Sequence, residues 1–324
     1  MPEQKDWEIP AAAQPKRDEV SFDLDAVLRA AVTLRVTAPE DAFTAPMLGT
    51  ERAGNGMLIG DGLVLTIGYL VTEADSVWAL TSDGRAVQGH VAGYDHETGF
   101  GLVQLQTRDK LPSVEFGNSG PVDVGEPIVF AAGGGKRHAL AAQVVSRRRF
   151  VGSWEYVIDD AIFTAPAHPS WGGSGLIGKL GQLVGIGSLY VQQAKDGFAA
   201  LEGNMAVPID LVKSILPDLI RYGRVNKPAR AWLGLYAAQA GAQLVVAGLA
   251  PRGPAARGDI RVGDELVEIA GEPVDELGTL FRKVWSLGPA GSDVPMTLKR
   301  DGKMIRLTLK SADRQRFMKS PRLQ

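Results

Sequence analysis

The segment Gly172-Gly173-Ser174-Gly175 has the Gly-x-Ser-Gly form of a tight turn that presents a serine hydroxyl for attack. Such a hydroxyl is reactive only if a base takes its proton and a carboxylate orients that base. The bases on offer are four histidines: His90, His96, His138 and His168. His168 lies near Ser174 in sequence, but contact would need a special loop shape, so no dyad is expected. His96 sits beside Asp95 in Asp-His-Glu-Thr-Gly, which reads as a solvated turn. His90 and His138 have no partners at metal-ligand spacing, so no metal is expected. A second serine turn, Gly117-Asn118-Ser119-Gly120-Pro121, reads as structural. Gly133-Gly134-Gly135-Lys136 is not a phosphate loop, because Phe130 stands where the first glycine belongs and Arg137 replaces the Ser/Thr. Arg147-Arg148-Arg149 reads as a solvated loop. Asp159 and Asp160 fall on opposite faces of a strand, a poor geometry for shared acid–base work. The absence of cysteine excludes thiolate chemistry and disulfides.

The elements that must position these groups are mostly strands. Met57–Thr66 reads as a hairpin turning at Gly60-Asp61-Gly62, and residues 76–95 as another turning at Asp83-Gly84. Further strands follow to about residue 200 without a long helical period, which argues for antiparallel barrels or sandwiches. A short amphipathic helix is expected before them, with Leu24, Val27, Leu28 and Ala31 on one face. Residues 207–225 read as one helix, with Pro208 at its start and Gly223 as C-cap. A polar linker at 226–230 leads to a second β-rich unit, with a helix at 274–287 and a turn at Asp301-Gly302. Residues 1–20 read as a disordered arm and 313–324 as a loose basic tail. The 324 residues suffice for two or three domains. With 39 glycines, 45% hydrophobic residues, 22% charged residues and a net charge of -2, the composition is that of an ordinary globular protein. No nucleic-acid partner and no membrane partner are expected.

Three stretches, in order, resemble the HtrA/Deg family of trypsin-like serine proteases. GNGMLIGDGLVLTIGYLV resembles its segment around the catalytic histidine, YDHETGFGLVQL that around the aspartate, and HPSWGGSGLIGKLGQLVGI that around the nucleophile. The helical segment AVPIDLVKSILPDLIRYGRV and the following Trp-Leu-Gly-Leu also match, so the resemblance spans about residues 21–312. It implies a mostly β fold: a trypsin-like double β-barrel over 21–225, followed by a PDZ domain over 230–312. The family's histidine position then falls on Tyr69 and its aspartate position on Gly99. Gapless alignment of the hairpin places the serine position on Gly172, while the local Gly-x-Ser-Gly pattern and the distance from Gly99 favour Ser174. Gly172 is the reading adopted, with Ser174 as the alternative nucleophile. A phenol titrates near about 10 and is a poor base at neutral pH, and glycine orients nothing.

Trp232-Leu233-Gly234-Leu235 resembles the carboxylate-binding loop of PDZ domains, where backbone N–H groups at a glycine turn converge on a peptide's terminal carboxylate. LAPRGPAARGDIRVGDELVEIAGEPV carries the most specific PDZ match, with Gly253 and Ala270 departing from the pattern. Leu233 and Leu235 on one side, and Leu280 and Val284 on the helix opposite, are the expected pocket residues. The resemblance therefore implies a chain that is not an enzyme: a pseudoprotease scaffold or regulator that binds protein C-termini or extended peptides. The alternatives are a weak serine endopeptidase using Ser174 and a holdase-type chaperone. A homo-oligomer, trimeric by resemblance, or a mixed assembly with an active relative is implied. No cofactor is expected. The start of the chain lacks the apolar core of an export signal, so the cytoplasm is expected as written, and the periplasm if a leader has been removed.

Overall fold

A computed structural model of the chain describes residues 7–195, 197 and 201–319. β1 (Ala31–Thr37), β2 (Glu51–Gly60), β3 (Leu63–Ile67), β4 (Ser76–Leu80), β5 (Ala86–Tyr94) and β6 (Phe100–Leu105) close into a barrel in the order β1-β2-β3-β6-β5-β4. The period of two is plain in β4, where Val77 and Ala79 point in and Trp78 and Leu80 stay exposed. The β2–β3 turn carries Asp61 at φ 48° and Gly62 at φ 71°, the double left-handed geometry that matches strand twist in tight hairpins.

A second barrel follows. β7 (Pro127–Ala131), β8 (Ala139–Gly152), β9 (Tyr156–Ala165), β10 (Gly175–Ile177), β11 (Leu183–Val191) and β12 (Gly203–Pro208) close in the order β10-β11-β12-β9-β8-β7. The third sheet contains β13 (Leu235–Ala240), β14 (Gln243–Leu249), β15 (Glu265–Ile269), β16 (Glu272–Pro273), β17 (Asp293–Arg300) and β18 (Lys303–Lys310). Its order is β13-β14-β15-β17-β18, with β16 paired to β15. The helix Leu277–Ser286 buries Leu280, Phe281 and Val284 in the same core as Leu266, Val294 and Leu298.

The chain divides into two compact units. One contains both barrels; the other contains Asn226 onward together with Phe150–Ile158, the tip of the β8–β9 hairpin. The second unit is thus discontinuous in sequence, because Val151 and Val157 pack against its core. No contiguous domain boundary could express that.

Several expectations are corrected by local chemistry. The helix expected over 207–225 is two short ones, Asp210–Lys213 and Leu216–Tyr222, with Pro208 closing β12 instead. Pro217 supplies no N–H and clashes with the preceding turn, so one helix cannot run through it. The C-cap at Gly223 does form, at φ 69°. The first helix stops at Leu28, and Ala31 begins β1. Arg147, Arg148 and Arg149 lie in β8 rather than a loop, because β9 offers them partners. Arg147 pairs with Asp160, Arg149 with Asp159, and the Arg148 guanidinium lies over the Phe163 ring. Asp159 and Asp160 are both exposed.

Residues 7–20 are ordered, not a free arm. Ile9 is buried in the second barrel's core with Trp7 and Ala13 packed beside it, and its N–H donates to Arg137 O at 2.8 Å. These three apolar side chains seat an otherwise polar segment. In the same way the expected tail is anchored where Phe317 packs on Trp232, ring centroids 4.9 Å apart. Residues 1–6 and 320–324 lie outside the described residues. Ile9→Ala is expected to lower unfolding free energy by about 2–3 kcal/mol, read from urea denaturation; a free arm would leave the midpoint unchanged.

Candidate functional site

β3 runs into the short helix Gly68–Val71, which carries Tyr69. The helix starts against β6's approach: Gly68 N–H donates to Gly99 O at 2.6 Å, and Gly99 sits at φ 84°, a conformation that disfavours any side chain. The Tyr69 hydroxyl donates to Ser188 O at 2.9 Å. Burial pushes its phenol well above the ordinary tyrosine range, with the Trp171 side chain opposing. At neutral pH it is a fixed donor.

Gly172 faces this phenol. A Cβ placed on Gly172 would lie 2.6 Å from Tyr69 Oη. Ser174 points elsewhere: it is fully buried, and its Oγ donates to Ser170 O at 2.6 Å. The turn between them is fixed by Gly173 at φ 79°, whose Cβ would stand 1.9 Å from Asn55 O. Of the positions singled out from sequence, Tyr69 faces Gly172, and Gly99 braces the start of the helix that carries Tyr69. The Ser174 hydroxyl is directed into its own turn.

His168 supplies no base to that turn. Its Nδ1 accepts from Ser170 N–H at 3.0 Å, which leaves Nε2 as the donor to His138 O at 2.9 Å. The ring stacks on Phe130 at 5.0 Å, and burial pushes its pKa down to about 4 against these two bonds. It is a satisfied core histidine. The other polar motifs are also structural. Asp95 Oδ2 accepts from both Thr98 N–H and Thr98 Oγ1. Ser119 and Gly120 N–H both donate to Asp210 Oδ2 at 2.9 Å, and Arg147 braces the carbonyls of Ser119 and Val122. Gly133 N–H donates to Asn55 Oδ1 at 3.0 Å.

Asn55 escaped notice in the sequence and holds the cleft. It stands on β2, only 2% exposed. Its N–H donates to Gly172 O at 2.8 Å, its Nδ2 donates to Ser170 O and Ser170 Oγ, and its carbonyl accepts from Thr66 Oγ1. One side chain thus fastens the first barrel to both the 170–174 turn and Gly133 of the second. The available signal was a lone polar residue between glycines in an inward-facing strand, a type depleted in strands.

In the second unit, Gly234 at φ 71° turns the chain so that the N–H groups of Leu233, Gly234 and Leu235 converge. They converge on a carboxylate, that of Glu155, at 3.2, 2.8 and 3.4 Å to Oε1. Leu233, Leu235, Leu280 and Val284 all join the unit's core. Trp232 instead supports the turn from behind: its indole would touch a Cβ on Gly234 at 2.9 Å, and its backbone bridges to Ala312. Among the described residues no cluster of three or more acidic or histidine side chains could hold a metal, and no helix is long and apolar enough to cross a membrane.

Comparison with known proteins fits this architecture. The sequence profile of a trypsin-like peptidase domain matches residues 54–186, and that of a PDZ domain matches residues 226–310. The chain is 30% identical over 282 residues to a probable periplasmic serine endoprotease DegP-like of Pseudomonas fulva, covering 81% of this chain and 56% of the relative. It is 27% identical over 277 residues to the periplasmic serine endoprotease DegP of Salmonella typhimurium, covering 79% and 56%. The chain spans little more than half the length of these relatives. Among solved structures, the HtrA-type protease AlgW with decapeptide superposes with a TM-score of 0.53 at 22% identity, covering 92% of this chain and 99% of that one. A serine endoprotease from Yersinia pestis gives 0.54 at 20% identity, covering 91% and 99%. These structures show the fold: mostly β, a trypsin-like domain and then a PDZ domain. The relatives' names correct one expectation. They are serine endoproteases, which points to a protease rather than a chain that is not an enzyme.

Two measurements probe the site's construction. Asn55→Leu strands the Gly133 N–H and removes the donor to Ser170 Oγ, and is expected to lower stability by about 2–4 kcal/mol in urea unfolding. His168 stays neutral in the folded chain down to about pH 4, whereas the unfolded imidazole takes its proton near 6.5. The unfolded state therefore binds the extra proton first, and stability is lost as pH falls below 6.5. About 2 kcal/mol should disappear between pH 7 and pH 5, and His168→Gln should flatten that slope.

Proposed function

We propose that this chain, a trypsin-like domain followed by a PDZ domain with the HtrA fold, is a peptide-capturing serine endopeptidase of weak, unorthodox chemistry. The observation that carries the capture half is the convergence of the Leu233, Gly234 and Leu235 N–H groups on one carboxylate. The same nest would take the terminal carboxylate of an extended peptide, whose backbone would pair with β13, the edge strand of the sheet. The last side chain of that peptide would meet Leu233, Leu235, Leu280 and Val284.

The endopeptidase half is supported by the relatives' names, and the residues shape how it would work. Tyr69, Gly99 and Gly172 stand for the family's histidine, aspartate and serine. Ser174 is the hydroxyl left in the turn, and it gives its proton to Ser170 O, a carbonyl and not a base. Attack therefore requires substrate to draw Ser174 out of that bond; as Oγ bonds the scissile carbonyl carbon and the C–N bond breaks, the hydroxyl proton passes through water to the departing amine, and a second water then hydrolyses the ester. What remains is catalysis by positioning and charge stabilisation, on the order of 10³–10⁴ over water in proteases stripped of a triad member. A homo-oligomer and a periplasmic setting, the compartment in the relatives' names, belong to the same proposal.

Slow labelling of the full chain by a fluorophosphonate probe is expected, and Ser174→Ala should abolish it. Tyr69→His with Gly172→Ser should raise labelling by at least about a hundredfold, and that gain should survive Ser174→Ala, because position 172 faces position 69. No labelling of a folded wild-type chain would sink the Ser174 route. For capture, anisotropy should show binding of a peptide with a free C-terminus that is lost in its amide and in Gly234→Trp.

A further inference from the structure

The hairpin tip Phe150–Ile158 occupies the ground that a captured peptide would need. Glu155 brings both carboxylate oxygens to the nest: Oε1 accepts from Leu233, Gly234 and Leu235, and Oε2 accepts from Leu233 at 3.2 Å. Ser153 O accepts from Ala237 N–H at 3.3 Å. Ala237 lies on β13, the edge strand, where an added peptide strand would form its backbone bonds. Val151 and Val157 pack against the apolar core behind it. One segment therefore copies three parts of a bound C-terminus: the carboxylate, the backbone pairing and the apolar side chain.

We propose that Glu155 is a built-in occupant of the peptide site, so that the PDZ domain is self-capped and opens only when a peptide carboxylate displaces the hairpin tip. This rests on the capture reading above and adds its regulation. Two features mark the occupant as displaceable. Glu155 sits at φ 61°, where a glutamate is strained by roughly 1–2 kcal/mol relative to glycine. Burial also pushes its carboxyl up to about 7, against the pull of the three N–H groups and of Arg314. A nest holding a carboxylate under such terms exchanges it for one that arrives with its own strand and side chain. While the tip is docked, apparent peptide affinity falls by the fraction of molecules left open, so nine-tenths occupancy weakens binding about tenfold.

The test uses the full-length chain and Glu155→Gly, which removes the carboxylate while suiting the left-handed turn. Fluorescein-labelled decapeptides ending in free Ala, Val, Leu or Phe, and their C-terminal amides, are titrated by anisotropy. Hydrogen–deuterium exchange is followed over residues 232–237 without peptide. The expected result is a gain of about tenfold or more for at least one free-acid peptide in Glu155→Gly, with amides unaffected. Exchange at 232–237 should quicken in the variant and slow again with peptide. Equal free-acid affinity in both chains would overturn self-capping while leaving peptide capture intact. Quickened exchange with no peptide bound by either chain would overturn capture itself, and self-capping with it. Lost folding in Glu155→Gly, judged by circular dichroism, would show a permanent clasp and also overturn the proposal.

Discussion

The cleft between the barrels depends on one buried amide. The Asn55 side chain reaches from β2 to Ser170 and Gly133, while its backbone N–H donates to Gly172 O and its backbone carbonyl accepts from Thr66 Oγ1. A buried side-chain amide with every group engaged is stable, while one left half-satisfied is worse than an apolar residue. That all-or-none character fixes the 170–174 turn relative to Tyr69. It also explains the glycines around it: Gly173 passes so close to Asn55 O that a Cβ has no room.

With that frame set, the chemistry of the cleft follows from what fills it. Tyr69 is directed by its hydrogen bond to Ser188 O, and its oxygen takes the space that a side chain at 172 would use. A phenol held as a donor in a buried setting is a poor proton acceptor, and the His168 imidazole beside the turn has both nitrogens committed. The barrel pair thus keeps a trypsin-like architecture while leaving the Ser174 hydroxyl bonded to a carbonyl of its own turn.

The second unit repeats the theme in another form. Three N–H groups made convergent by a left-handed glycine form an anion site whatever anion is supplied. The hairpin tip supplies one from within the same unit, together with a backbone acceptor and two valines. Under the proposed self-capping, binding of an outside peptide would be an exchange between two carboxylates, with the balance set by strain and desolvation at Glu155.

The sequence by itself determined the strand-rich architecture, because period-two burial and left-handed turn residues are local properties. The hairpins at Gly60-Asp61-Gly62 and Asp83-Gly84, the helix carrying Leu280 and Val284, and the glycine turn at Gly234 were all legible for that reason. So were the residue types at 69, 99 and 172. Pro217, which splits the helix over 207–225, was visible but underweighted against the apolar spacing around it. Tertiary structure alone decided the rest. That Gly172 and not Ser174 faces Tyr69 depends on how Asn55 pins a turn far away in sequence. That Trp7 and Ile9 anchor a polar segment depends on the apolar surface they meet on the second barrel. Glu155 is an ordinary acid on a hairpin tip until folding carries it to three N–H groups some eighty residues downstream, since a carboxylate's role is set by the donors around it and not by its sequence neighbours.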